Sequence, residues 1–180
     1  MTTKDIVYVA LFAALMAALG IFPPITVPAI GVPITAQSMG VMLAGGILGA
    51  KRGALSIILF LVLVAIGLPL LAGGRGGMGV YSGVTAGFLF SWPIAAFVVG
   101  WIVERSWEKL SVISAGFACI IGGIIVVYAI GIPWLSFAAS LPFMKASMLS
   151  VAFVPGDLVK VVIATAIILA VKKSYPLISR

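Results

Sequence analysis

Residues 51–71 read Lys-Arg-Gly-Ala-Leu-Ser-Ile-Ile-Leu-Phe-Leu-Val-Leu-Val-Ala-Ile-Gly-Leu-Pro-Leu-Leu, a cationic pair followed by an apolar run whose only polar side chain is Ser56. A helix that crosses a bilayer needs about 20 such residues, because the hydrocarbon core is about 30 Å thick. Gly53 to Leu71 therefore reads as a membrane helix, and its neighbours repeat the pattern. Upstream lie Ile6 to Phe22 and a short, small-residue-rich segment, Gln37 to Ala50, joined by a connection holding Pro23, Pro24, Pro28 and Pro33. Downstream lie Ser82 to Val103, Ser111 to Ile130 and Asp157 to Val171. The expected fold is an all-α integral membrane protein, a bundle of six transmembrane helices forming one domain over residues 1–180. Composition agrees: 63% of the residues are hydrophobic and 8% charged, with a mean hydropathy of +1.34. An ordinary soluble domain is about half apolar and about a quarter charged. A chain of this length leaves no room for an appended nucleotide-binding domain.

The charges and the rare residues exclude several chemistries. There is no histidine, hence no histidine base and no histidine metal ligand, and neither a metal nor an organic cofactor is expected. Cys119 is the single cysteine, so no intrachain disulfide forms. The net charge of +7 does not indicate nucleic acid, because the cations are scattered between apolar segments rather than gathered on one polar face. They follow the positive-inside rule instead. With both termini cytoplasmic, Lys4, Lys51, Arg52, Arg105, Lys109, Lys172, Lys173 and Arg180 fall on the inner side of a cell membrane. A signal-peptide reading of the first segment, with Lys4 ahead of the apolar stretch and Ala17 and Ala18 near its end, is disfavoured by the length of the run.

Charges without a topological reason point to a site. Glu104, Arg105, Glu108 and Lys109 read as a solvated turn with local pairs, and Asp5 suits the positive end of the first helix dipole. Arg75, Lys145, Asp157 and Lys160 are left over, all on the outward half. Asp157 and Lys160 stand three apart, share a helix face and follow a break at Pro155-Gly156. A charge deep in the bilayer costs about 2.5–3.5 kcal/mol on insertion scales, so such groups face a cavity or each other. The plainer alternative is a helix cap beside a snorkelling lysine. Arg75 lies in Gly73-Gly74-Arg75-Gly76-Gly77-Met78-Gly79. Glycines there bring backbone N–H groups close to a ligand, and the guanidinium offers a planar fork for a carboxylate; the plainer alternative is a flexible external turn. The formal G-x-G-x-x-G match from Gly74 to Gly79 follows a membrane helix rather than a strand, and no P-loop occurs, so the chain itself is not an ATPase.

Ala10, Ala14 and Ala18 form a small-xxx-small ridge, suited to internal packing or to another membrane subunit. Gly45 and Gly49 read the same way, with internal packing favoured, and Trp134, Phe137 and Phe143 read as interfacial anchors between helices five and six, the other reading being a lid over a ligand. Enzyme readings lack parts. The few acids form no pair on the outer side, a serine or cysteine nucleophile has no histidine base, and no specific spacing joins Lys145 or Lys160 to a serine.

Val32-Pro33-Ile34-Thr35-Ala36-Gln37, Leu48-Gly49-Ala50-Lys51-Arg52-Gly53, Gly67-Leu68-Pro69, Gly83-Val84-Thr85-Ala86-Gly87-Phe88 and Phe153-Val154-Pro155-Gly156-Asp157-Leu158-Val159-Lys160 occur in that order. Together they resemble the BioY family, the biotin-binding S components of energy-coupling-factor (ECF) vitamin transporters. The resemblance covers nearly the whole chain and departs from the family pattern at Ala50 and Val84, which stand where proline is expected. It implies a six-helix S-component fold that captures biotin from outside. It also implies a transmembrane coupling subunit and a pair of cytoplasmic ATPases as partners, and it makes Ala10, Ala14 and Ala18 the stripe that docks the coupling subunit. Biotin has a flat ureido ring with two N–H donors and one carbonyl acceptor, an apolar thioether ring and a carboxylate tail. Asp157 is expected to accept from the ureido N–H groups, and Lys160 to neutralise Asp157 or donate to the ureido oxygen. Arg75 is expected to bind the tail bidentately, helped by the N–H groups of Gly74 and Gly76. Gln37 and Thr35 would add neutral hydrogen bonds, and Tyr81 or Phe88 would wall the thioether ring; the opposite orientation of the ligand stays open. The competing readings are an S component for thiamin or riboflavin, a membrane scaffold whose charges are purely topological, and a lysine-based membrane hydrolase.

Overall fold

The structure, a computed structural model, describes residues 1–27 and 32–178; Pro28 and Arg180, both used above, lie outside the described residues. Six helical runs build it: α1 (Thr3–Leu19), α2 (Gln37–Leu48), α3 (Ala50–Ala65), α4 (Ala86–Arg105), α5 (Val112–Ala138) and α6 (Phe143–Ser174). The last three are each long and apolar enough to cross a membrane. Helices satisfy their own backbone hydrogen bonds, which is what an apolar solvent demands.

Several boundaries differ from the sequence expectation, each for a local reason. α3 stops at Ala65 rather than Leu71, because Gly67 turns to φ +110° and Pro69 has no N–H to continue the ladder. α5 runs on through Pro133 to Ala138 instead of ending at Ile130, so Trp134 and Phe137 sit on a helix and not on a connection. Its middle, Ile121–Val126, is π-helical. The stretch expected to join helices five and six is itself helical from Phe143, stepping through a 3₁₀ turn at Val151–Phe153 before the segment Val154–Ser174. The proline-rich connection after α1 carries two short antiparallel strands, β1 (Ile25–Val27) and β2 (Val32–Ile34), with Ile25 opposite Ile34.

α2 is the axis of the bundle. Ten of its 12 residues are buried, as expected of a helix that is apolar on every side, and it packs against α1, α3, α4 and α6. Gly45 makes one of these contacts possible, since a Cβ there would strike the carbonyl of Ala96 on α4. At about 1.5 Å per residue α2 is roughly 18 Å long, well short of the hydrocarbon thickness. Its first residues, Gln37 and Ser38, therefore end inside the bundle rather than at its edge. Gly49, at φ +85°, makes the sharp turn from α2 into α3.

Two polar ties close the opposite end of the bundle. Glu104 Oε1 accepts the backbone N–H of Ala50 at 2.9 Å, capping α3 across the bundle, while Arg105 lies 4.1 Å over the ring of Trp101. The turn expected to hold local ion pairs thus directs Glu104 to a helix N-terminus, where a carboxylate meets unpaired N–H groups and the positive dipole end. Arg52 donates from Nε to the Leu48 carbonyl at 3.0 Å, from Nη1 to Asp5 at 3.2 Å and from Nη2 to the Leu177 carbonyl at 2.7 Å. One side chain joins α1, the α2–α3 corner and the tail beyond α6. Arg52→Ala is expected to lower stability in detergent by about 2 kcal/mol, because charge-assisted bonds to carbonyls are each worth about 1.5–3 kcal/mol before exposure is discounted. Asp5→Asn should cost clearly less, as a partly exposed, salt-screened ion pair does. Thermal unfolding of both variants checks this, and equal losses would place the stabilisation in the ion pair instead.

Candidate functional site

α2, α4 and the Val154–Ser174 part of α6 begin near one another, and between their first turns and the middle of α5 lies a cavity that is open on one side. Leu71, Phe88, Leu89, Trp92, Val127 and Phe153 give it apolar walls, and Thr35, Ser38, Arg75, Thr85, Tyr128, Asp157 and Lys160 supply polar groups.

The polar side chains are organised around α6. Pro155 stands at the start of its Val154–Ser174 segment, where a missing N–H costs nothing, and Asp157 falls in the first turn. Asp157 Oδ1 accepts from Lys160 Nζ at 2.8 Å, and Oδ2 accepts from the Tyr128 hydroxyl at 2.6 Å. Lys160 Nζ also donates to Ser38 Oγ at 2.9 Å, and Ser38 Oγ donates to the Thr35 carbonyl at 3.4 Å. The two charged side chains are 9% and 14% exposed, so the ion pair is shielded from water and its strength depends on these added bonds. Each carboxylate oxygen retains a lone pair after these contacts. The chain Tyr128–Asp157–Lys160–Ser38 ties α5, α6 and α2 together on the cavity wall.

Arg75 reaches the same cavity from the α3–α4 loop. Leu71 and Arg75 exchange two backbone hydrogen bonds, 3.0 and 3.2 Å, closing a three-residue turn in which Gly73 and Gly74 take φ +80° and +69°. That left-handed geometry is open to glycine at little cost. Its Nε donates to the Ala72 carbonyl at 3.3 Å, and among the described residues it forms no ion pair. Partial desolvation pulls its guanidinium below the ordinary value, yet an arginine stays charged.

Of the residues singled out from the sequence, the structure brings Arg75, Asp157, Lys160, Phe88, Thr35 and Gln37 to one cavity. It does not bring the others there. Gly74 faces a separate hollow with Ala17, Ala18, Pro24 and Leu70, and Gly76 lies against the Leu68 carbonyl; both glycines shape the turn rather than line the cavity. Tyr81 points away, its hydroxyl donating to the Leu61 carbonyl at 2.5 Å and its ring 5.8 Å from that of Phe90, so it is not a wall of the cavity. Gln37 is in the wall, but its amide is engaged by three backbone groups, so its N–H donors are not free for a guest. Lys145 is exposed on α6 and is not among the cavity residues. Ala10, Ala14 and Ala18 are exposed along α1, whose opposite side buries Val9, Phe12, Ala13 and Met16. Phe137 and Phe143 are 81% and 60% exposed, whereas the Trp134 indole donates to the Gly83 carbonyl at 3.0 Å, joining α5 to the approach to α4.

Sequence reasoning missed Tyr128, Ser38, Trp92 and Phe153. Tyr128 carried a faint signal, a hydroxyl inside an otherwise apolar run. Its aim, two residues beyond the π-helical stretch with Gly123 also on the cavity wall, carried none. A π turn adds a residue and so rotates everything after it, and such turns gather at functional sites.

Comparison with known proteins agrees with this architecture over its whole length. The BioY family model matches residues 1–177. The biotin transporter BioY of Rhizobium etli is 50% identical, over 99% of this chain and 98% of that one. The biotin transporter BioY of Rhodobacter capsulatus is also 50% identical, over 89% and 88%. The crystal structure of the S-component for biotin from an ECF-type ABC transporter superposes with a TM-score of 0.92 at 33% identity, covering 98% of this chain and 97% of that chain. A membrane bundle with a buried Asp–Lys pair beside an arginine loop, matched along nearly its full length in sequence and in shape, leads to one conclusion: the chain belongs to the BioY family.

Proposed function

We propose that this chain is the biotin-binding S component of an ECF-type vitamin transporter, a multi-pass membrane protein and not an enzyme. The observation that carries the reading is the charge balance of the cavity: Asp157 and Lys160 neutralise each other, and Arg75 adds one positive charge with no acidic partner among the described residues. A ligand with one carboxylate and an uncharged polar ring complements that balance. Arg75 takes the carboxylate tail as a fork, the open lone pairs of Asp157 accept from the ureido N–H groups, and Phe88 and Trp92 flank the thioether ring. Thr35 adds a neutral hydrogen bond from the mouth. The whole chain acts as a single transmembrane binding domain.

Transport in this reading needs partners. A transmembrane coupling subunit docks on the exposed ridge Ala10, Ala14 and Ala18, whose small side chains permit close helix contact, and ATP is hydrolysed by cytoplasmic ATPase subunits. The excess of lysine and arginine at the end opposite the cavity supports a cell-membrane orientation with both termini in the cytoplasm and the cavity outward. Calorimetric titration of the purified protein tests the assignment. Biotin is expected to bind, while thiamin, which is cationic, and riboflavin, which has no carboxylate, are expected to give no heat at the same concentration. Preferential binding of either of these, or no binding of any, would overturn it.

A further inference from the structure

Gln37 is 1% exposed, on the first turn of the most buried helix, and every polar atom of its amide is engaged by backbone. Nε2 donates to the carbonyls of Met16 on α1 and Leu70 in the α3–α4 loop, both at 2.9 Å, and Oε1 accepts the N–H of Ala72 at 3.0 Å. Two carbonyls on one side and an N–H on the other fix the amide's orientation. The backbone partners in the loop flank Leu71, and Leu71 and Ala72 are the two residues to which Arg75 is bonded, by the paired backbone bonds and through its Nε. The segment from Gly73 to Gly77 is otherwise rich in glycine and loses much conformational freedom when ordered. Gly20, at the end of α1, opens the slot in which this happens: a Cβ there would strike the Leu70 carbonyl and stand 2.9 Å from Gln37 Nε2.

We infer that Gln37 is a positioning residue for Arg75, a buried clamp that holds the arginine loop over the cavity and fastens that loop to the end of α1. It acts through Leu70 and Ala72, with both amide N–H groups already committed to backbone carbonyls. The inference rests on the reading that Arg75 meets the carboxylate of biotin.

The test uses the purified full chain, with biotin and biotin methyl ester as probes; the ester keeps the ring system and removes the charge. Gln37→Met preserves volume and abolishes the three bonds. It is expected to weaken biotin about tenfold, mostly through faster dissociation, and to change ester binding by less than about twofold. Adding it to Arg75→Ala should weaken biotin no further, because residues that act through one another are not additive. Equal weakening of biotin and ester, additivity with Arg75→Ala, or unchanged biotin affinity would each overturn the clamp. Gly20→Ala leaves the glutamine in place but presses on both ends of its bond to the Leu70 carbonyl, so it must reproduce the same selectivity pattern if Gln37→Met does not fold, and its failure to do so would count equally against the clamp. Wild-type protein that binds biotin and its ester alike would overturn the Arg75 assignment itself, a result visible before any variant is made.

Discussion

Asp157→Ala is expected to abolish biotin binding and to destabilise the protein by about 3–5 kcal/mol, the range for removing one member of a buried ion pair. Asp157 is the common acceptor of Tyr128 and Lys160. Without it the Lys160 ammonium keeps only Ser38 Oγ, 2.9 Å away, and the Tyr128 hydroxyl loses its acceptor on the cavity wall. An uncompensated cation among apolar helices is costly, and the carboxylate proposed to receive the ureido group has gone. Both effects are measurable, by calorimetry with biotin and by thermal unfolding in detergent. The pair can also be removed as a unit. Asp157→Leu combined with Lys160→Met should recover most of the lost stability, since apolar residues replace buried pairs at little or no cost, yet binding should stay absent. A single Asp157→Ala variant that binds biotin normally would place the ligand outside this cavity.

Arg75→Ala is expected to do the reverse, leaving stability within about 0.5 kcal/mol while weakening biotin by about 10- to 100-fold. Its side chain is exposed at the cavity mouth, and its one side-chain hydrogen bond runs to the Ala72 carbonyl in its own loop. Its contribution therefore lies in the ligand: charge-assisted hydrogen bonds are worth about 1.5–3 kcal/mol, and about 1.4 kcal/mol is tenfold in affinity. Arg75→Lys should recover only part of the loss, because an ammonium is a point charge without the planar fork. Biotin methyl ester should not distinguish wild type from Arg75→Ala. A fall in melting temperature that tracks the fall in affinity would instead make Arg75 a structural residue of the loop. Taken with Asp157, the two variants separate the part of the site that belongs to the core from the part that belongs to the ligand.

The legibility of the site in the sequence follows the same division. Asp157 and Lys160 were readable because three-residue spacing on a helix is a local geometric fact, and because charge in an apolar segment needs a reason. Arg75 stood out as a cation that the positive-inside expectation left unexplained, and it lies on the cavity wall. The glycines beside it were misread as ligand-facing donors, since composition reveals that a backbone is permissive without revealing which way its N–H groups turn. Gln37 was found for its polarity and given the wrong task. Its three partners come from Met16, Leu70 and Ala72, segments that nothing in the spacing of the chain brings together. Tyr81 failed for a similar reason, its hydroxyl being claimed by the end of α3.

By itself, the sequence determined the solvent, the number of helices and the position of the buried ion pair, because hydropathy, run length and helical spacing act over a few turns of one chain segment. The tertiary structure alone decided which groups share the cavity. The shortness of α2 becomes a binding space only when α4, α5 and α6 close around its first turn. The aim of Tyr128 follows a π-helical stretch that cannot be told from its apolar neighbours, and the hold on Arg75 depends on an amide that meets its partners only after the helices have packed. Packing brings together polar atoms far apart in sequence, and in a medium without water each of them takes the partner it finds there.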